Sequence, residues 1–103
     1  MTYNQRTNGQ QIEAAIGNDF EVSLPEARTA GYLWILRNNG ASKCSMISES
    51  LQPAANVGGS GTHTWHFRAT KPGDCTLAMD YNRAWQENAG PARTYTLKVH
   101  VRP

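Results

Sequence analysis

Two cysteines, no cluster of Lys or Arg and no long apolar run are the first features of this 103-residue chain, and each removes a class of function. Cys44 and Cys75 are too few and too far apart for a zinc site of the Cys-x-x-Cys kind. Ten basic and eight acidic residues mix along the sequence and leave a net charge of only +2. A nucleic-acid binder gathers its positive charge on one face, so no nucleic-acid partner is expected. The longest apolar stretch, Tyr32 to Leu36, falls far short of the ~20 residues that a membrane-spanning helix needs, and no membrane partner is expected either. The first ten residues have no apolar centre and do not read as a secretory signal. The chain therefore reads as cytosolic, or as exported with its signal removed, and both readings stay open. A length near one hundred residues fits one domain, 1–103, in which residues 1–10 are expected to be loosely ordered.

What the chain does have is alternation. Phe20, Val22 and Leu24 alternate with Glu21 and Ser23, the pattern of a half-buried strand. Trp65, Phe67 and Ala69 alternate with His66, Arg68 and Thr70. Cys75, Leu77, Met79 and Tyr81 share one face, and Tyr95, Leu97, Val99 and Val101 share another. Tyr32 to Leu36 is apolar on both faces, as expected of a central strand. Lys43 to Ile47, with Cys44 and Met46 on one face, is a weaker strand, and Ile12 to Ile16 fits an opening or edge strand. Turn signals such as Asn38-Asn39-Gly40 and Lys71-Pro72-Gly73-Asp74 separate these segments. The expected fold is all-β, an immunoglobulin-like β-sandwich of about seven or eight strands.

A sandwich gathers its loops at two ends, where a rigid body holds them. Three loops stand out, and together they resemble the chagasin-like family of cysteine peptidase inhibitors. That family's first loop reads Leu-Pro-Glu-Asn-Pro-Thr-Thr-Gly-Tyr-x-Trp, and the stretch Leu24-Pro25-Glu26-Ala27-Arg28-Thr29-Ala30-Gly31-Tyr32-Leu33-Trp34 is similar to it. Gly58-Gly59-Ser60-Gly61 before Trp65 resembles the second, glycine-rich loop. Arg83-Ala84-Trp85 after Tyr81 resembles the Arg-Pro-Trp of the third. The chain departs from the family at Ala27, Arg28, Ala30, Ser60 and Ala84. The loss of both loop prolines leaves those loops less pre-ordered by their sequence, and pre-ordering is a main source of affinity in a loop-based binder.

The resemblance implies a monomeric, non-covalent and reversible inhibitor of papain-family peptidases, not an enzyme, that pushes three loops into the active-site cleft. Thr29, Ala30 and Gly31 would lie at the catalytic centre, and Gly59, Ser60 and Gly61 would offer backbone to an extended peptidase segment. Arg83 and Trp85 would grip a cleft wall, Trp85 as the main energetic anchor, with Arg83 forming an ion pair or stacking under it. The same fold also serves adhesion and assembly, so an immunoglobulin-like binding module without inhibition is the alternative.

The remaining candidates are weak. No cofactor motif is present. His63 and His66, three apart on a strand, point to opposite faces, while His66 and His100 fit solvent-facing neighbours. Two imidazoles without a third ligand make no metal site, and all three histidines read as surface residues. Cys44 and Cys75 both fall on apolar strand faces. They fit separate buried thiols, or an inter-sheet disulfide that closes a loop of about 32 residues and adds ~3 kcal/mol in the chain-entropy account.

Overall fold

The computed structural model describes residues 2–40, 43–53, 61–83 and 92–103. Strands β1 (Thr2–Tyr3), β3 (Asp19–Glu26), β6 (Gly61–Ala69) and β5 (Cys44–Gln52) form one sheet in the order β1-β3-β6-β5. Strands β2 (Gln10–Ala15), β8 (Arg93–Arg102), β7 (Gly73–Arg83) and β4 (Tyr32–Asn39) form the other, in the order β2-β8-β7-β4. Two four-stranded sheets facing each other make the immunoglobulin-like sandwich that the alternation predicted.

The core comes directly from that alternation. Because successive side chains in a strand point to opposite faces, Phe20, Val22 and Leu24 of β3 and Trp65, Phe67 and Ala69 of β6 all point inward and are buried. From the opposite sheet come Leu77, Met79 and Tyr81 of β7 and Tyr95, Leu97, Val99 and Val101 of β8. Phe20 and Phe67 lie opposite each other in register and stack with ring centroids 5.5 Å apart. Trp34 and Trp65 are both core residues, as their strand positions predicted.

Three expectations need correction. The N-terminal segment is not loose over residues 2–10. It pairs in parallel first with β3 through β1 and then with β8 through β2, so it crosses from one sheet to the other. Between them a short 3-10 turn, Gln5–Thr7, is pinned by Thr7 Oγ1 against Tyr95 Oη at 2.7 Å. Asn8 binds the backbone of Thr94 and Thr96 at 3.1 and 2.9 Å. Polar side chains make these anchors across some 88 positions of sequence, and hydropathy patterning does not register them.

The second correction concerns β4, which lies at the edge of its sheet rather than at its centre. Its outward-facing Ile35 is 39% exposed, and a register shift between Leu36 and Asn38 breaks the run of paired backbone beyond it. Such irregularities blunt an edge strand against pairing with another chain. The third concerns β5, also an edge strand, where Cys44 is buried but Met46, expected on the same face, is exposed. A register shift follows Met46 here too.

Candidate functional site

The β3–β4 connection is one of the places where the chain passes between the two sheets. β3 ends at Glu26, paired with Gly61 at the start of β6. β4 begins at Tyr32, paired with Arg83 at the end of β7. The exit of the glycine-rich loop therefore abuts the start of the Ala27–Gly31 loop, and the approach to the third loop abuts its end. The roots of all three loops meet at one pole of the sandwich.

The first loop is wound into a 3-10 turn, Arg28–Ala30, closed by Ala30 N–H to Ala27 O at 3.1 Å and Gly31 N–H to Arg28 O at 2.8 Å. Gly31 ends the turn at φ 87°, the left-handed region that a side chain resists. Three anchors fix the loop's ends. The Ala27 N–H donates to Tyr81 Oη at 2.8 Å. The Trp34 indole N–H donates to Pro25 O at 2.9 Å. The Trp34 backbone N–H donates to Glu26 Oε2 at 2.7 Å. These contacts order the first loop from the body of the protein, where a proline at position 28 would have ordered it locally. Arg28, which stands where the family has proline, contributes as well: its Nε lies 2.6 Å from Glu26 Oε1.

Aromatic packing supports the same corner. Tyr32 stacks on Tyr81 at 5.0 Å, and Trp34 tilts against the same ring at 4.6 Å. The Arg83 guanidinium lies 4.7 Å over the Tyr32 ring, a cation–π contact. Arg83 thus stacks on the first residue after Gly31; Trp85, its expected neighbour in the third loop, lies outside the described residues. Arg83, Tyr32, Tyr81 and Trp34 form a continuous row at the base of the first loop.

Of the residues singled out from the sequence, Ala30, Gly31, Gly61 and Arg83 are brought to this pole, together with the backbone of Thr29. Gly59, Ser60 and Trp85 lie outside the described residues, as does Ala84.

The residue that sequence reading misjudged most is His63. It is 3% exposed, not a surface residue. Its Nδ1 lies 2.9 Å from Glu26 Oε2, its Nε2 faces Glu49 Oε2, and its ring stacks on Trp65 at 3.9 Å. Glu26 is equally buried, at 2% exposure. Burial alone would push the Glu26 carboxyl up, but hydrogen bonds from His63, the Trp34 N–H and Arg28 outweigh it and hold the group below the usual glutamate range. The signal was present in the alternation: Glu26 continues the inward set Phe20, Val22, Leu24, and His63 precedes the inward set Trp65, Phe67, Ala69.

The other two histidines lie on different sheets and are not neighbours. His66 on β6 binds Asp19 at 3.0 Å, and His100 on β8 binds Asp74 at 2.5 Å. Cys44 and Cys75 face each other across the two sheets with their sulfurs 3.5 Å apart, as free thiols. Burial and the neighbouring Cys75 push the Cys44 thiol up to about 12.

The observed arrangement is a β-sandwich with one braced inter-sheet loop at a pole where the roots of two further loops also lie. Residues 13–99 match the family described as Chagasin family peptidase inhibitor I42. The chain belongs to that family, and the resemblance carried by its three loops is borne out. Among solved structures it is similar to the cysteine protease inhibitor EhICP2 from Entamoeba histolytica, with TM-score 0.85 and 17% identity over 98% of this chain and 93% of that one. It is similar to Amebosin, with TM-score 0.77 and 27% identity over 99% and 97% of the two chains. It also resembles PbICP-C, solved in complex with falcipain-2, with TM-score 0.73 and 15% identity over 99% and 90%. No curated protein sequence matches the chain. The relatives with named roles are protease inhibitors rather than enzymes.

Proposed function

We propose that this chain, acting as a monomer and without chemistry of its own, inhibits papain-type cysteine peptidases reversibly by seating three loops in the active-site cleft. The observation that carries the reading is the meeting of the three loop roots at one pole, with Glu26 paired to Gly61 and Tyr32 paired to Arg83. In this reading the Thr29-Ala30-Gly31 turn fills the cleft over the catalytic thiol. It blocks by occupancy, because a tight turn does not offer an extended scissile bond to the nucleophile. Gly59, Ser60 and Gly61 give backbone access on one side, and Arg83 with Trp85 holds the other. Family membership and the relative solved with falcipain-2 support this assignment.

A contact of the usual protease–inhibitor size buries roughly 800 Å² on each partner, within reach of three loops. Bracing matters because a loop that is already ordered loses less conformational freedom on binding. The test is a fluorogenic-peptide assay in which the purified chain slows papain at sub-micromolar concentration and leaves a serine protease unaffected. No slowing of papain at about 10 μM, weaker than any useful inhibitor affinity, would overturn the reading in favour of an adhesion or assembly module.

A further inference from the structure

Both oxygens of the buried Glu26 carboxylate are engaged, and by different parts of the loop pole. Oε1 accepts from Arg28 Nε at 2.6 Å, inside the turn. Oε2 accepts the Trp34 N–H at 2.7 Å, on the strand that follows the loop, and lies 2.9 Å from His63 Nδ1 on β6. Glu26 itself ends the strand that precedes the loop, and its backbone pairs with Gly61 at the root of the second loop. One side chain therefore ties the turn to the strands before and after it and to β6. An Nδ1–H serves the carboxylate in a neutral imidazole as in a charged one, so the tie does not depend on how many protons His63 carries.

Burial makes the tie stiff. A carboxylate out of water needs its donors, and a turn that swings away takes Arg28 with it and leaves Oε1 without a partner. The Arg28 side chain is half exposed and regains water on leaving, so the penalty falls on Glu26. Backbone chemistry offers another route to the same rigidity. Arg28 is the first residue of the 3-10 turn, a position that suits the fixed φ of proline. Ala27 before it, at φ −90° and ψ 68°, stays out of the helical region that a following proline disfavours.

We propose that Glu26 is a positioning residue for the inhibitory turn: with Arg28 it clamps Thr29-Ala30-Gly31 in the shape that enters the cleft, a side-chain ion pair in the place of a loop proline. The part of this proposal that concerns inhibition rests on the function proposed above. The clamp raises affinity by ordering the turn before binding, so the turn loses less freedom in the complex.

The test compares the full chain as wild type, Glu26→Gln, Arg28→Pro and the double variant. The glutamine amide has one oxygen where the carboxylate has two, so either Arg28 or the Trp34 N–H meets its N–H2 group. Papain inhibition is measured well below the melting temperature of each chain. Glu26→Gln should weaken it about tenfold, the size of one lost hydrogen bond to a charged group. In the Arg28→Pro background the same change should cost about threefold or less, a coupling of the kind that contacting residues show. There the backbone holds the turn, and the amide turns its oxygen to Trp34 with no guanidinium opposing its N–H2. A Glu26 that served stability alone would lower the melting temperature and leave inhibition by the folded chain unchanged. NMR relaxation supplies the second readout: the order parameters of Ala27 to Gly31 should drop from the rigid range, about 0.85, in Glu26→Gln and return to it in the double variant. Equal losses of inhibition in the two backgrounds, or a turn that stays rigid in Glu26→Gln, overturn the proposal. Should Glu26→Gln not fold, Arg28→Gln takes its place, since the fold tolerates change in a side chain that is 51% exposed. The turn must then loosen and inhibition weaken, or the proposal fails. If wild type does not inhibit papain at all, the functional reading fails, and the order parameters alone decide whether Glu26 clamps the turn.

Discussion

Tyr81 Oη accepts the Ala27 N–H at 2.8 Å, although 54 residues separate the two in sequence. The same ring lies between Tyr32 and Trp34, so one core side chain anchors the first loop by its hydroxyl and the strand after it by its faces. Tyr81→Phe keeps the ring and removes only the anchor. It should cost about 1 kcal/mol of stability, because a half-buried N–H is left without its partner. Papain inhibition should weaken several-fold, and the Ala27 amide should exchange with solvent faster. An unchanged inhibition constant with unchanged exchange would show that this bond does not hold the loop.

Gly31 closes the turn at φ 87°. A Cβ in that region clashes with the following carbonyl and costs roughly 1–2 kcal/mol. Gly31→Ala should therefore lower the melting temperature by several degrees and weaken inhibition as the turn relaxes. Calorimetry alongside the peptidase assay separates the two effects. Full retention of stability would mean that the turn does not need its left-handed residue.

Trp85 belongs to the third loop, beyond the described residues, and the family resemblance makes it the anchor there. Trp85→Ala should weaken papain inhibition by about thirtyfold, near 2 kcal/mol, as loss of a hot-spot aromatic does. The melting temperature should fall by no more than a few degrees. A large drop in melting temperature would instead assign Trp85 to the core.

Cys44 and Cys75 lie on facing sheets, 3.5 Å apart at sulfur. Burial raises both thiols above their ordinary range, so little thiolate is present near neutral pH and alkylation of the native chain should be slow. Prolonged treatment with oxidised glutathione should nonetheless link them. The Cys75 thiolate attacks the glutathione disulfide and releases one glutathione, and the Cys44 thiolate then displaces the second. Intact mass should fall by two hydrogens, and stability should rise by roughly 3 kcal/mol through the closed loop. A persistent mixed disulfide would show that the two sulfurs do not meet.

Glu26 also sets the acid limit of stability. Its folded-state value lies below the usual glutamate range, so its contribution is complete above the unfolded-state value and is lost as pH falls through the lower, folded one. Melting temperature measured from about pH 5 down to about pH 3 should fall more steeply in wild type than in Glu26→Gln. Asp19, held down by hydrogen bonds from Arg68 and His66, keeps some acid dependence in both. Parallel curves would remove Glu26 from the acid response.

Legibility in the sequence followed the range of the interactions. The inward sets of β3, β6, β7 and β8 are readable because a strand's period of two is a property of the local backbone, and every residue on one parity shares one environment. The loop motifs are readable for a related reason: each is a short contiguous run. The edge position of β4 was not readable, since Tyr32 to Leu36 has the same composition whether neighbours flank it on one side or two. Glu26 and His63 occupy inward positions by parity, yet polarity argued for the surface. Only a partner from another strand makes their burial tolerable.

By itself the sequence determined the all-β class, the core strands and the order of three recognisable loops, because those are written in spacing and short motifs. Tertiary structure alone decided that His63 meets Glu26 and Glu49, that Tyr81 catches Ala27, and that Arg83 stacks on Tyr32. These pairings depend on strand register and on how one sheet lies over the other. Both are fixed by packing of the whole core, which no local stretch of chain encodes.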